Sequence, residues 1–193
     1  LQKWYDTGIL SREISLYTGL ANNGVKVTFV TYGDFNEKDY IKTYSGIEVL
    51  PIYTLVKRSP NKYFRLIKSF FVVPFVLLPH VKDADVLKSK QIFGSWVPSI
   101  ISRILGKPYL LRTGYDYLYF FSKSNSSKLI YRLLILVFQF SLSAASKVQV
   151  ATKQDMDRMI RYFPKNQGKI EISPNWVDTG KFKNLNSSRF DDR

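Results

Sequence analysis

The groups best suited to do chemistry follow one short apolar run, Tyr109 to Arg112. Arg112, Tyr115 and Asp116 bring a guanidinium, a phenol and a carboxylate within five positions, around Gly114. A guanidinium fork matches the oxygens of a phosphate, and a carboxylate accepts a hydrogen bond from a ligand hydroxyl. Arg112 and Asp116 suit a purely structural ion pair equally well. A second set is cationic. Lys57, Arg58, Lys62, Arg65 and Lys68 crowd into twelve residues with no acid among them, and run into the uncharged stretch Ser69 to Pro79. Such a segment reads either as an interfacial membrane contact or as a core helix with its cations on the wet side.

Composition narrows the chemistry. The chain has 193 residues and no cysteine, so it carries no disulfide framework and no thiolate-ligated metal; His80 is its single histidine, which excludes a His-pair metal site. Absence of cysteine is compatible with a reducing cytoplasmic setting. The net charge is +14, and the span from Lys57 to Arg132 holds fourteen Lys or Arg against three Asp. A field of that sign draws anionic partners: phospholipid headgroups, nucleic acid or diphosphates.

The elements that must position these groups alternate between helix and strand. Leu10, Ile14, Tyr17 and Ala21 recur at helical spacing, Gly24 ends that helix, and Val25 to Thr31 alternates as a strand. Ile47 to Leu55 reads as an edge strand because Pro51 interrupts it. Pro74 is expected to kink any helix through Ser69 to Val81. Ala84 to Ser89 and Tyr109 to Arg112 are short strands flanking a helix whose inner face would be Trp96, Ile100, Ile104 and Leu105, ending at Gly106. Leu129 to Leu142 is fourteen residues, too short for the roughly 20 that span a bilayer, and reads as a helix buried under the sheet. Thr152 and Asp155 form a capping box after the strand Ser146 to Ala151, and Pro164 stops the helix before a strand at Lys169 to Ser173. Short apolar strands with helical crossovers favour a Rossmann-like, doubly wound, mostly parallel α/β sheet with helices on both faces.

The closing run KIEISPNWVDTGKF, Lys169 to Phe182, resembles the end of the N-terminal domain in GT-B glycosyltransferases of family 4. Pro174, Asn175, Val177, Asp178 and Phe182 match that pattern, and Trp176 replaces its usual Gly. Gly106, Lys107 and Pro108 resemble the family's approach to a later strand, and Thr7 and Gly8 stand at its double-glycine turn with only the second glycine kept. The resemblance implies that Gly8 lies near a donor diphosphate, where helix N-terminal amides meet phosphate; a plain turn into a helix is the other reading. It implies an acceptor side at Arg112, Gly114, Tyr115 and Asp116, with Gly114 standing where family members often carry a His. The family's first strand precedes the glycine turn, and only LQKWYD stands there, so the chain is expected to be a fragment lacking it. Residues 1–182 would be the acceptor-side domain and 183–193 a polar linker. The donor-side domain would be absent, since none of Glu13, Glu37, Glu48 or Glu171 has a second Glu eight positions on.

What this implies is half of a retaining, hexosyltransferase-like glycosyltransferase, working without metal or other cofactor. It would move a sugar from a nucleotide sugar to a lipid-linked or polysaccharide acceptor on the cytoplasmic face of the plasma membrane. The alternative is a basic, non-catalytic domain binding nucleic acid or anionic membrane. Nucleic acid is disfavoured as a partner because the cations sit beside long aliphatic runs, and no helix-turn-helix, RNA-recognition or zinc pattern is present.

Overall fold

The computed structural model describes residues 1–114, 117–123 and 128–175, which fall into two compact units, Leu1–Leu55 and Val56–Asn175. Tyr115, Asp116, the turn residues from Trp176 to Phe182 and the linker 183–193 lie outside the described residues. The architecture is α/β with parallel sheets and helices on both sides, as the alternation of elements predicts.

In the first unit, α1 (Gln2–Asp6) and α2 (Leu10–Asn22) precede β1 (Val27–Thr31), and β2 (Ile47–Pro51) pairs with β1 in parallel, Val27 opposite Ile47 and Thr31 opposite Pro51. Leu10 and Ile14 bury against Ile41, Ile47 and Val49, with Tyr17, Ala21 and Phe29 packed around them, so the helical spacing read from sequence is the one that faces the sheet. Gly24 closes α2 in the left-handed region at φ 83. LQKWYD, which carries no strand pattern, forms α1, and its Trp4 meets Phe29 edge-on at 6.3 Å. The second strand is shorter than expected. It ends at Pro51, which has no N–H to continue the ladder, and Ile52–Thr54 turns as a 3-10 helix.

The second unit opens with α3 (Lys62–Phe71) and α4 (Val73–Val81), followed by β3 (Leu87–Ser89), α5 (Trp96–Leu105), β4 (Tyr109–Thr113), α6 (Tyr117–Lys123), α7 (Lys128–Ala144), β5 (Lys147–Val150), α8 (Lys153–Tyr162) and β6 (Ile170–Ile172). The four strands lie in the order β3-β4-β5-β6, all parallel. Each crossover steps one strand in the same direction, so right-handed connections send α5, α7 and α8 to one face. The strand residues on that face, Tyr109, Leu111, Val148 and Val150, are buried; Phe138 of α7 stacks on Phe163 beyond α8 at 5.8 Å. The opposite face carries Lys88, Arg112, Gln149 and Glu171, with Gln149 Nε2 donating to Glu171 Oε1 at 3.1 Å.

Local signals hold closely. Thr152 Oγ1 accepts from the Asp155 amide at 3.1 Å, Gly106 caps α5 at φ 66, and Pro74 sits in the first turn of α4, beyond a 46° bend from α3. Two expected helix faces are corrected. In α5 the buried side is Trp96, Val97, Ser99, Ile101 and Ser102, while Ile104 is 49% exposed. Serines can line it because Ser99 Oγ donates to Ser95 O and Ser102 Oγ to Lys107 O, each at 2.6 Å, which satisfies the hydroxyls locally. In α7 only Phe138, Ser141 and Leu142 are buried, and Leu129, Ile130, Leu133 and Leu136 are exposed. The expected buried helix is therefore fully covered only along its last turns, and one side of its first half is exposed while Tyr131, Leu134 and Ile135 are half-buried.

Candidate functional site

Ligands of open parallel α/β sheets bind outside the carboxyl ends of the strands. In the second unit that edge carries Arg112. Its Nη1 donates to Ser173 Oγ at 2.9 Å, and its Nη2 to Asn175 Oδ1 at 3.0 Å and to Pro174 O at 3.4 Å. The fork thus grips the turn that follows β6. Sequence reading weighed a phosphate or Asp116 as its partner; the turn partners were not foreseen, because they lie about sixty positions away. Gly114 is exposed, and nothing lies within 4 Å of where its Cβ would be, leaving the loop after β4 open at that point.

Lys88 stands on the same sheet face, its neighbour across the ladder being Leu110, two residues before Arg112. Lys88 is exposed, yet desolvation of its ammonium, and then the Arg112 guanidinium, lower it below the ordinary lysine range, a shift that its exposure moderates. Two cations that disfavour one another are stabilised together by an anion. Among the described residues, Gln91 Oε1, in the loop after β3, is buried without a hydrogen-bond partner, an unmet acceptor inside that loop. Neither Lys88 nor Gln91 lies in a recognisable motif.

The loop from Ser89 to Ser95 is held by a buried hydroxyl network. Tyr109 OH lies 2.6 Å from Ser89 Oγ and 3.5 Å from Ser95 O, and Ser95 Oγ lies 2.7 Å from Ser141 Oγ on α7. Burial raises the Tyr109 phenol from 10.0 to about 12, against the lowering effect of its hydroxyl neighbours. The folded chain therefore keeps a proton that the unfolded chain loses, and this stability is present below about pH 10 and lost as pH rises toward 12. Tyr109→Phe is expected to cost about 1–3 kcal/mol at neutral pH by leaving Ser89 Oγ unpaired. The wild-type advantage should shrink above pH 10; urea unfolding of both proteins across that range checks it, and a constant difference would contradict the assignment.

In the first unit, Gly8 takes φ 69, a conformation natural to glycine, just ahead of Ile9, the N-cap residue of α2, whose first turn has no side-chain cap. Uncapped amides at a helix start are the donors a phosphate uses. After β1, Glu37 is 9% exposed and accepts from the Leu1 amine at 2.5 Å and the Gln2 amide at 3.3 Å. A Cβ at Gly33 would fall 2.0 Å from Glu37 Cγ, so only glycine fits beside it. A shallow hollow of about 420 Å³ lined by Gly24, Lys26, Gly46 and Glu48 lies at the amino ends of β1 and β2, away from the ligand-binding edge. Among the described residues, no three of His, Asp or Glu form a metal-ligating cluster.

The basic segment forms the approach to α3 and part of its surface. Lys57, Arg58 and Lys62 are exposed. Arg65 Nη1 donates to Ser59 O and Pro60 O, both at 3.2 Å, and Lys68 Nζ to Lys57 O at 3.2 Å, so these two also pin the segment ahead of the helix. Asn61 caps α3 by accepting from the Tyr63 amide at 2.8 Å. Beside the cations, Tyr63, Phe64, Ile67 and Phe71 form one exposed apolar face, Phe71 being 71% exposed. Among the described residues no single helix is long and apolar enough to cross a membrane; α3 and α4 reach that length only together, across their bend.

Parallel strands joined by helical crossovers give the chain a Rossmann-like α/β fold. One solved structure it is similar to is HepE of Anabaena, in complexes with UDP-glucose and with UDP and glucose. HepE superposes at a TM-score of 0.61 over 89% of this chain, with 13% identity, and the chain spans 41% of the length of HepE. No family model and no curated protein matches the chain in sequence.

Proposed function

We propose that residues 1–182 form the acceptor-side half of a retaining glycosyltransferase of the family 4 type, with 183–193 leading to a donor-binding half. In this reading a hexosyl group passes from a nucleotide sugar to a lipid-linked or polysaccharide acceptor. Gly8 and the amides of α2 face the donor diphosphate; Arg112, Gly114, Tyr115 and Asp116 border the acceptor; and Lys57, Arg58, Lys62, Arg65 and Lys68 hold the protein on the cytoplasmic face of an anionic membrane. The observation that carries the proposal is the superposition on HepE, a protein solved with UDP-glucose, across 89% of the chain.

The 193 residues alone are expected to transfer no sugar and to bind nucleotide sugars weakly, because most donor contacts would belong to the other half. Calorimetry with UDP-glucose, and a transfer assay using labelled donor and membrane lipid, measure both. The coding sequence downstream should specify a further Rossmann-like domain with two Glu eight positions apart. Turnover or tight donor binding by the isolated chain would overturn the division of labour, and downstream sequence without such a domain would overturn the enzyme class.

A further inference from the structure

The outward side of α7 is apolar where a surface helix is ordinarily polar. Leu129, Leu133 and Leu136 fall at i, i+4 and i+7, forming a stripe opposite the buried Phe138 and Leu142; Leu129 is 66% and Leu136 60% exposed. Ile130 widens the stripe on one flank, Lys128 and Arg132 border it on the other, and Phe120 of α6 is exposed as well. The sequence from 117 to 154 holds five Lys or Arg and no acid, so the stretch that carries the stripe is itself purely cationic.

α7 and α3 each pack against α5. Ser95 and Trp96, adjacent at the start of α5, bond to one each. Ser95 Oγ pairs with Ser141 of α7, while Trp96 Nε1 donates to Ser69 of α3 at 3.1 Å. α7 runs back from the carboxyl end of β4 to the amino end of β5, so its exposed first half extends from Ser141 toward the carboxyl edge, the end at which α5 starts. Two apolar helix faces, each bordered by cations, therefore flank one end of one helix.

We propose that the Leu129, Leu133 and Leu136 face of α7, with Phe120, is a second lipid-contacting element that inserts into an anionic phospholipid surface alongside α3. The inference rests on the membrane reading of α3 and extends it. Charge complementarity selects the occupant: aliphatic side chains enter the acyl boundary, and Lys128 and Arg132 extend to the headgroups. A second contact also fixes the orientation of the unit on the surface, which a single helix leaves free to roll about its axis.

Because the chain has no cysteine, single labels are unambiguous. Leu133→Cys, Ile67→Cys and, as a control on α8, Lys153→Cys would each carry an environment-sensitive fluorophore in the 193-residue chain. The probe is vesicles of equal parts phosphatidylglycerol and phosphatidylcholine. Labels at 67 and 133 should shift to the blue with vesicles and the label at 153 should not. The triple variant Leu129→Gln, Leu133→Gln, Leu136→Gln should partition about tenfold less strongly. It replaces exposed side chains only, and an unchanged urea midpoint would show that the fold is retained. A shift at 67 without one at 133 overturns the role of α7 and leaves that of α3 standing; no shift at either position removes the membrane reading itself. A shift at 133 that grows with protein concentration without vesicles assigns the face to a second copy of the chain and overturns the proposal.

Discussion

Trp96→Ala is expected to destabilise the second unit by about 3–5 kcal/mol and to free α3 from it. The indole is 7% exposed, stacks on Phe70 of α3 with ring centroids 4.7 Å apart and planes 8° from parallel, and donates to Ser69 O at 3.2 Å and Ser69 Oγ at 3.1 Å. Truncation opens a cavity of indole size and leaves the buried Ser69 hydroxyl without this partner, two costs that add. Trp96→Phe keeps the stack and loses only the donor, and should cost about 1 kcal/mol. Urea unfolding ranks the two variants, and trypsin sensitivity at Arg65 and Lys68 reports whether α3 has come loose. If Trp96→Ala left both unchanged, α3 would be held by something other than this contact.

Neutralising the exposed cations of the basic segment should have the largest effect on binding. Replacing Lys57, Arg58 and Lys62 together by Gln is expected to weaken partition into anionic vesicles by about 3 kcal/mol, from about 1 kcal/mol for each cation near the surface, or roughly 150-fold. Arg65 and Lys68 stay in place because their bonds to Ser59, Pro60 and Lys57 carbonyls shape the segment, and removing them would mix charge with structure. The difference should shrink as salt is raised, since headgroup attraction is screened within a Debye length of about 10 Å at 0.1 M. Sedimentation with vesicles across a salt series measures it. Binding that stays the same in the triple variant would return α3 to the role of an ordinary amphipathic helix.

The α/β class was legible in the sequence because strand and helix patterns alternate along it, and several element ends because they follow from interactions within a few residues. Thr152 finds the Asp155 amide three positions on, Gly106 takes the left-handed cap where α5 must stop, and Pro74 lies in the first turn after the break at Val72. The inward stripe of α2 was legible for the same reason: Leu10, Ile14, Tyr17 and Ala21 recur at helical spacing and pack on the sheet. In α5 the stripe was misread, since apolarity pointed to Ile104 whereas hydrogen bonds let Ser99 and Ser102 go inside. Tertiary structure alone decided the rest. The grip of Arg112 on Ser173 and Asn175, the Tyr109 and Ser95 network and the link between Trp96 and Ser69 each join residues far apart in the chain, and no periodicity encodes such pairs. It also decided that one side of the first half of α7 stays exposed. An apolar helix looks the same in sequence whether protein or lipid is to meet it; which of its turns the neighbouring elements reach depends on where α5 and the sheet end, and that is a property of the packed chain.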